Sequence, residues 1–334
     1  MKFKYNITTT NTPVGWNDIF EVFISSSDNK EYLVSPNSNN FNLDIFDLSD
    51  NKLVYSLPGH NNLIRTVRYN DDYLISADDD KIVIIWDINN NYKIKHLIKT
   101  NYEHDINSCL LFFDEKIGKN NHNYIITSTF NYSGNDEDSS TKIYSFEDGK
   151  FIRNINKTNN IPIFYLLSWI HRSTWGKKYY IIQFSSKKIL ISNILTGKVY
   201  TELINEPEAD HYCGFITKIY EPNSYDGGHM VAYLYSSSSN GYINIWNLEK
   251  KKISKVINTN GCCLTHIIDW NEKFLIVADY YNKLFKIIDK DKNYIYDMKT
   301  DYEGELVCIK KIRHLIYRES LLTASNDKTI KLWA

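Results

Sequence analysis

The stretch Ser76-Ala77-Asp78-Asp79-Asp80-Lys81-Ile82-Val83-Ile84-Ile85-Trp86-Asp87 reads as an acidic turn followed by an apolar strand that closes on tryptophan. The last ten residues, Ser325-Asn326-Asp327-Lys328-Thr329-Ile330-Lys331-Leu332-Trp333-Ala334, repeat the pattern. Two such copies, one near the start and one at the end, predict a repeat protein built from small antiparallel sheets. The second copy stops in mid-repeat. A ring of such sheets would have to take its missing strand from the beginning of the chain.

Five more versions of the pattern lie between and around these two. By strand-ending position the series is Phe46, Trp86, Phe146, Ser192, Trp246, Ile288 and Trp333, with spacings of 40, 60, 46, 54, 42 and 45 residues. The two long intervals carry polar runs, Asn131 to Ser140 and Glu221 to Gly228, that read as surface loops. Segments such as Tyr73-Leu74-Ile75-Ser76-Ala77 and Phe274-Leu275-Ile276-Val277-Ala278 are β-branched and aromatic, as buried strands should be. No stretch of helical period competes with them.

This pattern resembles the WD40 repeat. In that family a His near the innermost strand, a Ser or Thr on the second strand, the turn Asp and the Trp form a buried hydrogen-bonded set. The second repeat is similar in full, with Gly59-His60, Ser76, Asp80 and Trp86; the fifth offers His211, Ser236, Asn240 and Trp246. The seventh retains Thr323, Asp327 and Trp333 without a Gly-His, and the third retains His104. The resemblance implies an all-β, seven-bladed propeller filling residues 1–334 as one domain. Residues 1–10 would be the strand that completes the last blade. The blades are expected near 15–58, 59–99, 100–157, 158–205, 206–258, 259–299 and 300–334. Each sheet is too small to bury its faces alone, so the blades must stack around an axis.

Composition sets limits on function. Apolar residues make up 43% of the chain, enough for a continuous core, and the formal charge of −1 argues against a generic nucleic-acid or membrane binder. No apolar signal core opens the sequence and no apolar run is long enough to span a bilayer, so a cytoplasmic or nuclear protein is expected. The five cysteines are odd in number and lack C-x-x-C spacing, which suits a reducing compartment. No phosphate loop, nucleophile elbow or zinc-protease motif occurs, so neither catalysis nor a cofactor or metal is expected.

Recognition of protein partners remains. The resemblance places contacts on the channel face, just after the Gly-His position and just before the turn Asp. Carried onto this chain, those positions are Asn61, Leu63, Arg65 and Asp79 in the second repeat, Asn107 and Cys109 in the third, and Asn326 in the seventh. Aligning Asp269 to Leu275 on Arg68 to Leu74 sets His266 opposite Arg65. The expected function is a non-catalytic scaffold or adaptor, a monomeric ring within a larger complex. The rival is a peptide or phosphopeptide reader of a ubiquitin ligase, and a more distant one a propeller enzyme. Phosphopeptide receptors need converging arginines. Of the six here only Arg65 maps to the channel face, and the Phe-Arg-Arg-Gly segment of phosphoinositide-binding propellers does not occur.

Overall fold

In a computed structural model the chain folds into seven four-stranded antiparallel sheets. The structure describes residues 2–8, 19–25, 28–70, 72–102, 104–114, 123–129, 140–157, 162–173, 176–204, 208–221, 228–314 and 316–334. The run Asn131 to Ser139 and the segment Pro222 to Gly227, both expected as loops, lie outside the described residues.

In blades 1 to 6 the four strands follow one another in chain order. The seventh sheet is assembled from both ends of the chain. There Phe3–Thr8 pairs antiparallel with Thr329–Trp333, with Phe3 opposite Trp333, and Lys2 and Ala334 exchange backbone hydrogen bonds of 2.6 and 2.9 Å. The rings of Phe3 and Trp333 meet edge to face, 5.7 Å between centroids.

Burial falls from the hub outward. The second strand of blade 2, Tyr73–Asp78, is buried from Leu74 onward, whereas the outer strand, Lys93–Lys99, is mostly exposed. The reason is stacking: inner and middle strands are covered on both faces by the neighbouring blades. Seven apolar clusters result, one between each pair of successive blades. Phe23, Val34, Leu74 and Trp86 fill the space between blades 1 and 2, and Leu33, Phe46, Leu322 and Ile330 that between blades 7 and 1. The last cluster closes the ring. Across the hub, Arg68 of blade 2 donates to the Leu166 carbonyl of blade 4 at 2.6 Å, with its guanidinium 4.2 Å from the Tyr165 ring centroid.

The turn between second and third strands explains part of the repeat. It needs a residue with positive φ, supplied by Lys81 (67°), Lys187 (68°), Gly241 (79°), Lys283 (53°) and Lys328 (73°). Only at Gly241 is the backbone also crowded, since an added Cβ would lie 2.1 Å from the Gly261 carbonyl oxygen of the next loop.

Expectations about the strand end of blade 3 and about two of the histidines need correction. In blade 3 the tryptophan position belongs to Tyr144, because Ile125 pairs with Tyr144 as Leu74 pairs with Trp86. Phe146 lies beyond the strand and packs edge to face on Tyr73 and Phe113. His104 does not hold the blade-histidine position; Tyr102 does, its hydroxyl 2.8 Å from Thr127 Oγ1. His211 begins the innermost strand of blade 5, paired with Ser238 as Ile64 pairs with Asp78. It therefore takes an apolar position, fully buried beside Trp246, and its ring nitrogens have no hydrogen-bond partner among the described residues.

Candidate functional site

The buried polar set of blade 2 orients the corner that carries the expected contact residues. Trp86 Nε1 can only donate, and it lies 2.9 Å from Ser76 Oγ; the Ser76 hydroxyl then donates to His60 Nε2 at 2.7 Å, and His60 Nδ1 donates to Asp78 Oδ2 at 2.6 Å. The carboxylate of this chain is Asp78, not Asp80. Asp78 also accepts the backbone N–H of Ile82 at 2.9 Å, fixing the acidic turn, while Asp80 is exposed and, among the described residues, accepts only from Asn62 at 3.0 Å. Asp327 of blade 7 is likewise no member of a Trp set: it accepts the N–H groups of Glu303 and Gly304 and bonds Thr329. In blade 5 Trp246 donates to Ser236 Oγ at 2.9 Å without His211, and Asn240 accepts from Ser238.

With the turn fixed, the residue before Asp80 meets the innermost strand. Asp79 N–H donates to the Leu63 carbonyl at 3.1 Å, and the same corner bond recurs from Ser239 to Asp210, Tyr280 to Cys263 and Asn326 to Glu305. Strand register supplies the second rim position: Arg65, Asn107, Phe164, Tyr212, Thr265 and Val307 each follow the first paired residue of an innermost strand. These two positions per blade form the rim of the channel face.

The rim divides into a charged and an aromatic part. On blade 2, Arg65 holds Asp79 through two bonds, Nε to Oδ1 at 2.5 Å and Nη2 to Oδ2 at 2.8 Å. Asp105 stands nearby, its carboxyl pushed above the usual range by burial and then by the Asp79 charge. On blades 4 to 6 aromatic side chains share the rim with Ser239 and Thr265. Phe164 meets Tyr212 edge to face at 5.0 Å, and Tyr280 meets Tyr281 at 5.0 Å, with Tyr281 61% exposed.

The expected contact residues fare unequally. Asn61, Leu63, Arg65 and Asp79 come together at the blade 2 corner, Asn61 exposed and the others half-buried. Asn107 is on the rim but its amide donates to the Ile163 and Phe164 carbonyls at 3.1 Å each, stitching blade 3 to blade 4. Asn326 exchanges hydrogen bonds with Glu305. Cys109 is fully buried in the core between blades 2 and 3, so no partner on this face can reach it. His266 is one residue out of register with Arg65: it pairs with Ala278 as Thr66 pairs with Ala77, and it points into the hub near Tyr165. Thr265 holds the rim position. Asp105 and the four aromatic residues escape a motif-based reading, because the rim pattern is defined by strand pairing and not by residue type.

Among the described residues no group of three or more His, Cys, Asp and Glu is placed to hold a metal ion, and no helix is long and apolar enough to cross a membrane. A comparison with family models matches the WD domain, G-beta repeat, over residues 51–87. That span takes in the outer strand of blade 1 and the first three strands of blade 2. The sequence repeat is therefore offset by one strand from the structural blade, and the same offset is seen where Phe3–Thr8 joins the last sheet. No curated protein matches the chain.

Proposed function

Because the chain is a WD40-repeat β-propeller, a fold that generally mediates protein–protein interaction, we propose that it is a non-catalytic scaffold or adaptor that holds a partner protein on its channel face. The observation that supports this is the divided rim. Large half-exposed aromatic side chains at Tyr212, Tyr280 and Tyr281 offer desolvation area, while Arg65, Asp79 and Asp105 offer directional polar contacts beside them. Aromatic residues with a polar surround are the usual make-up of a protein-binding surface. The bidentate grip of Asp79 on Arg65 speaks against a phosphopeptide pocket at this corner, since the guanidinium already faces a carboxylate.

The test is affinity purification of the wild type beside Tyr212→Ala/Tyr281→Ala and Arg65→Glu. Tyr281 is exposed and Tyr212 lies on the rim, so the double variant should fold and lose partners that the wild type retains. If every partner survives in folded forms of both variants, the channel-face reading fails.

A further inference from the structure

Away from the channel face, a cavity of about 1060 Å³ opens between the first hairpin of blade 7 and that of blade 1. It is lined by Ile24 and Glu31 on blade 1, and by Lys311, Arg313, Arg318 and Glu319 on the strands Leu306–His314 and Arg318–Ser325. These strand ends are the ones opposite the rim: the innermost strand of blade 7 begins at Leu306 on the channel face and reaches the cavity at His314.

The charges do not cancel. Lys311 pairs with Glu319 at 2.9 Å and donates to the Trp270 carbonyl. Lys30, on the facing hairpin of blade 1, pairs with Asp47, and Asp28 accepts from Tyr32. Arg313 and Arg318 remain exposed, and neither guanidinium has an ion pair or hydrogen bond among the described residues. Against them the cavity sets one buried carboxylate, Glu31. Between the arginines, His314 ties down Ile316 and Tyr317. The nearly buried His314 accepts the backbone N–H groups of Ile316 at 3.1 Å and Tyr317 at 3.3 Å on its Nδ1. Its ring also meets that of Tyr317 at a tilt of 31°, 4.9 Å between centroids. This turn holds Ile316 outward at 70% exposure, the highest of any large apolar residue described, and Ile24 across the cavity is 47% exposed.

We infer that this cleft between blades 7 and 1 binds an acidic, carboxylate-rich peptide segment of a partner protein. Planar guanidiniums pair carboxylates bidentately, so Arg313 and Arg318 read two acidic side chains. An apolar residue of the same segment covers Ile316 and Ile24. The site is separate from the channel face, and a partner can occupy each.

The test is fluorescence anisotropy with a labelled peptide in which Glu alternates with Leu. The wild type should bind it, more weakly as salt rises, and should ignore a matching Lys–Leu peptide. Arg313→Glu/Arg318→Glu should weaken binding at least about tenfold, as charge reversal across a contact does, and Ile316→Ala should weaken it less. Arg313→Gln/Arg318→Gln, which adds no repulsion, should also weaken it with an unchanged melting temperature. Arg65→Glu should leave it untouched, which separates this site from the channel face. No binding by the wild type, or equal binding by the glutamine double variant, would overturn the proposal; so would binding only to a phosphorylated form of the peptide.

Discussion

The hydroxyl of Tyr302 lies 2.6 Å from Thr323 Oγ1 in blade 7, in the place that His60 takes toward Ser76 at 2.7 Å in blade 2. Both precede an innermost strand by four residues, and both meet the hydroxyl that accepts from the blade tryptophan, Trp333 Nε1 to Thr323 at 2.8 Å. Tyrosine brings a partner of its own. Lys331 sits over the Tyr302 ring at 4.2 Å and donates to the Thr300 and Asp301 carbonyls. Blade 3 has the same arrangement in Tyr102, Thr127 and Lys142, with Lys142 3.9 Å from the ring centroid. The ring thus uses two buried polar designs, one with histidine and aspartate and one with tyrosine and lysine.

The histidine design predicts which aspartate of the triple-Asp turn matters. Asp78→Ala leaves the buried His60 Nδ1–H and the Ile82 N–H without acceptors and should cost about 2–3 kcal/mol, the range for losing a charged buried hydrogen-bond partner. Asp80→Ala, at an exposed side chain, should stay within about 0.5 kcal/mol. Urea denaturation of both variants checks the assignment; equal losses would return the role to Asp80.

In the tyrosine design, Tyr302→Phe keeps the ring beneath Lys331 but removes the bond to the Thr323 carbonyl, 2.6 Å in the native blade. A loss of about 1–2 kcal/mol is expected. Thermal unfolding of the variant measures it, and no change would mean that the hydroxyl is idle.

His211 should make stability depend on pH. Burial lowers its pKa from 6.5 to about 4, so the folded ring stays neutral where the unfolded one takes a proton. The stability that this neutrality contributes is therefore fully present above pH 6.5 and is lost as pH falls toward 4, on the order of 3 kcal/mol across that window. Leu occupies the same strand position in blades 6 and 7, at Leu264 and Leu306. His211→Leu should accordingly flatten the urea midpoint between pH 6.5 and 4 relative to wild type; parallel curves would contradict it.

Removal of residues 1–8 should expose the Thr329–Trp333 strand as an unpaired edge, uncover Trp333, and promote association. A lower melting temperature and concentration-dependent light scattering are expected. A truncated chain that melts like the full one would show that the last blade stands with three strands.

Spacing and turn chemistry made the ring legible: Trp86, Trp246 and Trp333 each close a third strand, and the Asp-rich turns carry positive φ where lysine or glycine follows. What escaped was register. Every described innermost strand from blade 2 to blade 7 has an irregularity after its first paired residue, as between Ile64 and Thr66 and between Leu264 and His266. A one-residue slip turns a side chain to the other face. One extra residue between Thr265 and Ala278, compared with Arg65 and Ala77, therefore moved His266 from the rim to the hub. The tyrosine design left a readable trace, Thr100-Asn101-Tyr102-Glu103 against Thr300-Asp301-Tyr302-Glu303. The tyrosine hydroxyl does the work of the histidine ring, so a pattern defined by Gly-His does not include it.

Arg68 gives the ring a property that stacked blades alone would lack. In a row of repeats that touch only their immediate neighbours, each unit can fray nearly independently and stabilities add along the row. The guanidinium that reaches from blade 2 to the Leu166 carbonyl of blade 4 couples second neighbours, so blade 3 cannot loosen without disturbing both sides of the hub. Such a spoke across the axle adds to the ring a coupling between second neighbours that face-to-face stacking does not supply.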